Sequence, residues 1–513
     1  MNVFMSTPKF LIVGFDGLRP DASITDDMPT LARFIDEHHF WPHYLADFPT
    51  ETYVNHPSIF SGFRPKDHGL IANAYWRRDM LPDEACFFGY RLEDVLRHDA
   101  AGGLYNVPSL GDRMGERGMQ LRVICANSVG STRLQHVHAE RFAGHLCAPV
   151  HALEATEPPV ERQALMSAYE KGVPLTYPDH DGTRLTVDLF FERELPRGLG
   201  DVTVLWIGEP DHASHVFGIN GAGTKDARRD ADEAFAKILR WWEQSGRDEG
   251  VQLIVMSDHG HGTVRRHIDL KRVLEEAGLR ILTPDNIRTG ADLQQADAVM
   301  VGSYTAGLWL TRPDQTVLLK ARNALMASPD VGLLFSQPDP ARPDAIEGRV
   351  PGTFSEALVF SNHPRSPDLR IVPRGNPETG DLVMSAALPI GTGNHGGLLP
   401  QEIRALLAIG GTQFPGAGIH HEPASHADLS VTLMTMLGLL DDEASLPLPT
   451  GRFLCEATAS GTAAEGPFPT ERIDLTCGHF TQRLERMTHA GRTYVCAGYR
   501  LNNDGWSADR PNT

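Results

Sequence analysis

The 513-residue chain has no surplus of positive charge: 47 Lys and Arg stand against 66 Asp and Glu, a formal net charge of −19. This excludes the broad basic face that nucleic-acid polymers and anionic membranes require. A small anionic substrate stays open, because a bound cation can invert the local field. Cysteine is sparse. Its six copies (Cys86, Cys125, Cys147, Cys455, Cys477, Cys496) make no CxxC pair and no zinc-finger spacing. No apolar run approaches a membrane span. The opening residues, MNVFMSTPKFLIVGFDG, lack the basic region, long apolar stretch and small-residue cleavage site of a signal peptide, so a reducing cytoplasm is the expected compartment. Internal repeats and low-complexity tracts are absent too.

What remains is a chain of ordinary soluble composition, 41% hydrophobic and 22% charged, long enough to bury a large core and to hold more than one domain. Continuous apolar runs at Phe10 to Phe15, Leu121 to Ala126, Val202 to Ile207 and Val251 to Met256 read as strands buried on both faces. Helical patterns lie between and around them: Met28 to His38, a segment from Thr52 to about Gly62, Ser109 to Gly118, Glu161 to Lys171, Arg184 to Leu195 and Asp226 to Gln244. Phe40 to Leu45 reads as a further strand, and residues 77–106 read as an insertion without periodicity. The alternation predicts an α/β fold with a doubly wound, mostly parallel sheet and helices on both faces. From about 280 to 385, short β-like runs and proline-rich turns predict an inserted α+β cap. Glu402 to Ile409 and Ala427 to Leu439 return to core-strand and helix patterns. The expected organisation is a core at 1–279 and 386–445, a cap at 280–385, and a C-terminal extension at 446–513 ending in a hairpin around Arg492 to Arg500.

Twenty-three histidines supply metal ligands in quantity. Several polar groups fall just after predicted strands or in glycine-rich loops: Asp16, Asp211 with His215, Asp258 with His259, and His395 in GTGNHGG. Each has a bland reading. Asp16-Gly17 is a turn dipeptide, Asp211 and His215 are one helical turn apart, and a threonine at a helix start, such as Thr52, is ordinarily an N-cap. Taken together, carboxylates and imidazoles from several ends of one sheet converge on one crevice, with a donor set suited to zinc.

In this order, Asp16, Thr52 in TYVNH, Asn73 in HGLIAN, EPDHASH, SDHGHG and NHGG, the sequence resembles the alkaline phosphatase superfamily, in its nucleotide pyrophosphatase/phosphodiesterase (type I phosphodiesterase) branch. The resemblance runs from about Phe10 to Leu439. It implies a hydrolase of small phosphate esters, chiefly phosphodiester and nucleotide pyrophosphate bonds, with two zinc ions or manganese in their place. One ion would be held by Asp16, Thr52, Asp258 and His259, the other by Asp211, His215 and His395. Thr52 would attack phosphorus and carry a phospho-threonine intermediate, and Asn73 would donate to a non-bridging oxygen. The implied partner is a small phosphorylated substrate, with no nucleic-acid polymer and no membrane; monomer and homodimer stay open.

Two departures are visible. The phenylalanine-proline pair usual after the nucleophile is Tyr53-Val54 here, and His56, His68, His212 and His261 have no place in the family pattern and read as structural or supporting. HGGLLPQE resembles the ending of phosphonoacetate hydrolases, a rival reading alongside a phosphomonoesterase. No lysine stands between Cys125 and Glu140 to hold a substrate carboxylate, which counts against the phosphonate. A phosphomutase lacks its nucleophile motif here, a sulfatase lacks Cys/Ser-x-Pro-x-Arg, and a non-catalytic metal protein would be missing a ligand or Thr52.

Overall fold

The apolar run after Lys9 forms the strand Lys9–Phe15, with every side chain from Phe10 onward buried. Its residues alternate between two cores, as strand geometry requires. Leu11, Val13 and Phe15 face one side and Phe10 and Ile12 the other. In the computed structural model this strand lies near the middle of an eight-stranded sheet. The described residues are 8–21, 24–82, 84–302, 304–384, 388–440, 447–459, 461 and 468–501. The expectations for the extreme N-terminus and for parts of the tail between 441 and 467 lie outside them.

The sheet runs in the order Gly418–Ile419, His39–Phe40, Leu407–Gly410, Val251–Met256, Lys9–Phe15, Val202–Ile207, Leu121–Cys125, Leu146–Pro149. The last five are mutually parallel, while Leu407–Gly410 runs antiparallel to Val251–Met256. Helices cover both faces. Pro29–Glu37, His180–Leu189 and Ala222–Trp241 supply Phe34, Leu185 and Phe235 to one core. Thr52–Ile59, Leu110–Glu116 and His426–Met436 supply Ile59, Met114 and Leu433 to the other. The fold is α/β with a large, parallel-rich sheet.

A second sheet of six strands spans Ile281–Leu282 to Leu369–Pro373, with the helix Gln315–Ala327 packed on it through Leu318 and Leu325. The C-terminal region forms a three-stranded antiparallel meander, Thr470–Cys477, Phe480–His489 and Arg492–Arg500, where the sequence suggested only a hairpin at its end. Its Ile473, Leu484 and Tyr494 pack with Leu333 and Phe335 of the second sheet and with Leu45 and Phe48 of the core. Burial of that face explains why the tail is ordered there.

Three other expectations change. Phe40 to Leu45 is not one strand: His39–Phe40 and Tyr44–Leu45 join different sheets, because the chain turns at Pro42, which cannot donate to a ladder. Glu402 to Ile409 likewise divides into the turn Pro400–Ile403 and the strands Arg404–Ala405 and Leu407–Gly410. The described part of residues 77–106 is structured. Cys86–Phe88 pairs with Ala74–Trp76, and Leu92–Ala100 is a helix.

That inserted helix is fastened to the core through His138. Its Nδ1 lies 2.8 Å from Asp112 and its Nε2 3.5 Å from Asp99, the latter near the end of the inserted helix. Burial opposes the charge on His138, but the bonds to Asp112 and Asp99 outweigh it and raise the imidazole to about 9. A raised folded-state value stabilises the fold fully below the unfolded value near 6.5, and the contribution is lost as pH rises through about 9. We expect His138→Gln to lower the unfolding free energy by about 1–2 kcal/mol at pH 6, the scale of a charge-assisted bond. In urea unfolding across pH, the gap to wild type should close towards pH 9. A gap that stays constant would remove the ion-pair account.

Candidate active site and metal centre

The strands deliver their polar residues to one edge. Asp16 follows Lys9–Phe15 directly, Asp258 lies two residues beyond Val251–Met256, and Asp211 opens the short helix Asp211–Phe217 that follows Val202–Ile207. All three are buried, with exposures of 0% for Asp16 and Asp258 and 6% for Asp211.

Two glycines make the geometry possible. At Gly14 a Cβ would stand 2.1 Å from the Trp206 ring, so only glycine lets that indole lie across the strand. Trp206 Nε1 then donates to Asp16 Oδ2 at 2.9 Å, and Asn127 Nδ2 donates to the same oxygen at 2.6 Å. Gly17 has a φ of +64°, which favours glycine, and its N–H donates to Asp258 Oδ1 at 3.1 Å. Each carboxylate thus has one oxygen anchored. The other oxygens, Asp16 Oδ1 and Asp258 Oδ2, are buried without a hydrogen bond.

Thr52 is the first residue of its helix rather than its cap, and the capping position belongs to Glu51. Seven of the eight helix residues are buried, so the helix shows no amphipathic stripe. Asn55 ties it to the preceding loop, accepting from Asp47 N at 2.7 Å and donating to the Glu51 carbonyl at 3.0 Å. The Thr52 hydroxyl does not serve the helix end. Its Oγ1 sits 3.0 Å from His259 Nε2, and that nitrogen is 3.2 Å from Asp258 Oδ2 and 3.6 Å from Asp16 Oδ1. Asn73 fills the place Thr52 leaves. Its Oδ1 accepts from the Tyr53 N–H at 3.0 Å, and its own N–H donates to Glu51.

The second group gathers around Asp211 Oδ1: His215 Nε2 at 3.2 Å, His261 Nε2 at 2.9 Å and His395 Nε2 at 3.4 Å. Thr50 holds the His395 loop. Its carbonyl faces His395 Nδ1 at 2.8 Å, and its hydroxyl bonds Gly396 N and the Gly397 carbonyl. Glu402 completes the loop by accepting from Gly397 N and Leu399 N. The two groups adjoin: the His259 and His395 rings stack with centroids 3.6 Å apart.

Charge shows that a cation fits here. Burial raises Asp16 well above the carboxylate range, and Asp258 and Asp211 raise it further. Asp258 goes up to about 7, through burial and the charge of Asp211, against the Gly17 N–H. Burial opposes the charge of Asp211, yet His215, His261 and His395 hold it well below the usual range. Burial also pushes His261 down to about 4 and His259 well below its ordinary value. The neutral rings of His259 and His261 therefore face carboxylate oxygens, whereas His215, though burial opposes its charge, is raised by Asp211. Although His261 Nε2 is close to Asp211 Oδ1, neither atom has a hydrogen bond of good geometry among the described residues. Divalent cations resolve such contacts, and carboxylate and imidazole are donors they accept.

Every residue singled out in the sequence thus reaches this edge. Of the four histidines set aside, His261 stands inside the Asp211 group, and His56 Nε2 lies 3.8 Å from Asp258 Oδ2, with Asp16 nearby. His68 is structural, bonded to Ser58 Oγ at 3.1 Å, and His212 packs near Tyr177. Sequence reasoning missed Asn127 and Trp206, although Asn127 follows a predicted strand just as Asp16 does. Thr50 and Glu402 carried no signal beyond their nearness to the motifs.

Comparison with known proteins agrees. The profile of the family described as "Type I phosphodiesterase / nucleotide pyrophosphatase" matches residues 10–377. The chain belongs to this family. Its match stops short of His395. Shorter segments resemble characterised relatives: 71 residues are 39% identical to the mouse bis(5'-adenosyl)-triphosphatase enpp4, covering 14% of this chain and 16% of that protein. A match over 75 residues is 31% identical to an uncharacterised pyrophosphatase/phosphodiesterase of Schizosaccharomyces pombe, 15% of each chain. The fold resembles solved structures of mouse and human ectonucleotide pyrophosphatase/phosphodiesterase 5, both at 16% identity. The mouse protein gives a TM-score of 0.57 over 86% of this chain and 97% of its own, and the human protein 0.58 over 88% and 100%. Members of this type I phosphodiesterase family depend on metal ions, and the two groups described above supply candidate ligands.

Asn127→Ala should remove one of the two donors that orient Asp16. We expect metal affinity to fall by about tenfold, the usual cost of losing an outer-shell partner, and the fall should show as metal lost to a chelator on dialysis. Retention equal to wild type would mean that Trp206 alone orients the carboxylate.

Proposed function

We propose that the chain is a metal-dependent hydrolase of small phosphate esters that cleaves phosphodiester or nucleotide pyrophosphate bonds through a phospho-threonine on Thr52. The observation that carries this reading is the Thr52 hydroxyl, 3.0 Å from His259 Nε2, the nitrogen that also lies 3.6 and 3.2 Å from the unbonded oxygens of Asp16 and Asp258. A threonine serving as a cap would not be turned there.

Asp16, Asp258, His259 and the Thr52 oxygen would hold one ion, and Asp211, His215 and His395 the other. Zinc suits this donor set, and manganese is the alternative. When bound, the ions would lower the hydroxyl pKa of Thr52 and neutralise phosphoryl charge. Thr52 Oγ1 attacks phosphorus, the alcohol or phosphate group leaves opposite, and water then releases the phosphoryl group from the threonine. Asn73 is held by its Oδ1 on the Tyr53 N–H, so its amide nitrogen is available to a non-bridging oxygen as charge develops. Buried walls around all three aspartates keep water from screening these interactions.

The bis(5'-adenosyl)-triphosphatase relatives support including a dinucleoside polyphosphate among the substrates. A panel of that compound, a chromogenic phosphodiester, a monoester and phosphonoacetate, assayed with zinc or manganese, separates the diester reading from its rivals. Thr52→Ala should cost roughly 10³-fold or more in turnover of the preferred substrate, with metal content near two per chain. Turnover within tenfold of wild type would remove Thr52 as nucleophile.

A further inference from the structure

Around Asp211 Oδ1 stand three imidazole nitrogens, one more than the family-like ligand set uses. We propose that His261 is a fourth protein donor to the metal site of Asp211, His215 and His395, making it a cage of one carboxylate and three imidazoles. The inference rests on the metal-dependent reading above and goes beyond it.

Spacing is the first argument. The distances from Asp211 Oδ1 to His215, His261 and His395 Nε2 are 3.2, 2.9 and 3.4 Å. A tetrahedron with bonds of about 2.1 Å has edges of about 3.4 Å. The three edges that meet at Asp211 Oδ1 are near that length, and all four atoms lie within 4.8 Å of one another. His261 is the shortest of the three, no outlier at the rim.

Proton placement is the second. A backbone carbonyl can only accept, so a ring nitrogen bonded to one must carry the proton. His215 Nδ1 lies 3.0 Å from Gly393 O, His395 Nδ1 2.8 Å from Thr50 O, and His261 Nδ1 3.0 Å from Gly17 O. In its neutral form each of the three rings is therefore held in the tautomer that turns a bare Nε2 to Asp211. Donation of the far N–H to a carbonyl is the usual support of a metal-bound histidine.

Space is the third. His261 is 1% exposed, and a Cβ at Gly17 would stand 2.3 Å from its Cε1. The same glycine that anchors Asp258 thus admits the His261 ring and supplies its carbonyl partner. A histidine serving only as packing would not need that arrangement.

Two consequences follow. Sites with four protein donors are the closed, tightly held kind, whereas three donors leave a position open. With His261 the Asp211 site would therefore keep its ion against chelators longer than it would on Asp211, His215 and His395 alone. One carboxylate and three neutral imidazoles would also leave a divalent ion with a net charge of +1, against zero for two carboxylates, an imidazole and a neutral hydroxyl. The Asp211 site is then the more attractive of the two to an anionic substrate.

The test uses the full chain loaded with two Co²⁺. Proton NMR should show four hyperfine-shifted, exchangeable imidazole N–H signals, from His215, His259, His261 and His395. Three signals would overturn the proposal without touching the metal-dependent reading, whereas a chain that takes up no Co²⁺ would overturn both. In His261→Gln and His261→Met, the chelator concentration that removes the ion bound to His215 and His395 should fall by about 10- to 100-fold, and that for the ion bound to His259 should stay as in wild type. An unchanged profile in both variants would assign His261 to packing alone.

Discussion

The structure depends on keeping three carboxylates together out of water. Donor oxygens of Asp16, Asp211 and Asp258 fall within groups whose members lie no more than 4.8 Å from one another. Two unit charges at such a distance repel by roughly 3–4 kcal/mol at an effective dielectric of 20. A protein without use for a cation there would have no reason to carry that strain. Here the strain is partly absorbed by directed donors: Trp206 and Asn127 on Asp16, and the Gly17 N–H on Asp258. Each donor neutralises one oxygen and leaves another facing inward, and the inward set is what a divalent ion completes.

The parallel sheet makes this convergence natural. Neighbouring parallel strands end at the same edge, so polar residues just past Phe15, Ile207 and Met256 cannot avoid one another. The edge also receives the start of Thr52–Ile59, which brings the hydroxyl and the Glu51–Asn73 link to the same place. Gly14 and Gly17 are the small residues on which the closeness turns, the first by admitting Trp206 and the second by bending the chain under Asp258 and His261.

Much of this was legible from residues alone, because buried parallel strands write themselves as apolar runs and each run is followed by its polar group. Asp16, Asp211 and Asp258 were found that way, and Thr52 and Asn73 through the order of motifs. His261 was not, since in SDHGHG the two histidines are two apart and nothing in the spacing says that both point into the site. Asn127 and Trp206 were hidden for another reason: one is a common loop residue and the other reads as strand core. The inserted helix Leu92–Ala100 was missed because Asp94, Val95 and His98 are all buried, which blurs the apolar period. The meander at the end was under-read because its strands are half exposed and their pairing is set by contact with the second sheet.

The place of His395 in the chain has a consequence for the order of assembly. Its loop is clamped by Thr50, 345 residues earlier, and the entire second sheet is made between the two. As the chain leaves the ribosome, Asp16, Asp211 and Asp258 emerge well before the imidazole that closes the Asp211 group. For that interval the acidic edge exists without its last neutral partner, and that group is not complete until synthesis is more than three-quarters done. Pairings so distant in sequence form late and slowly. The nascent chain thus carries an acidic, half-built pocket throughout the making of the second sheet, and the site is finished only when the chain returns to the core.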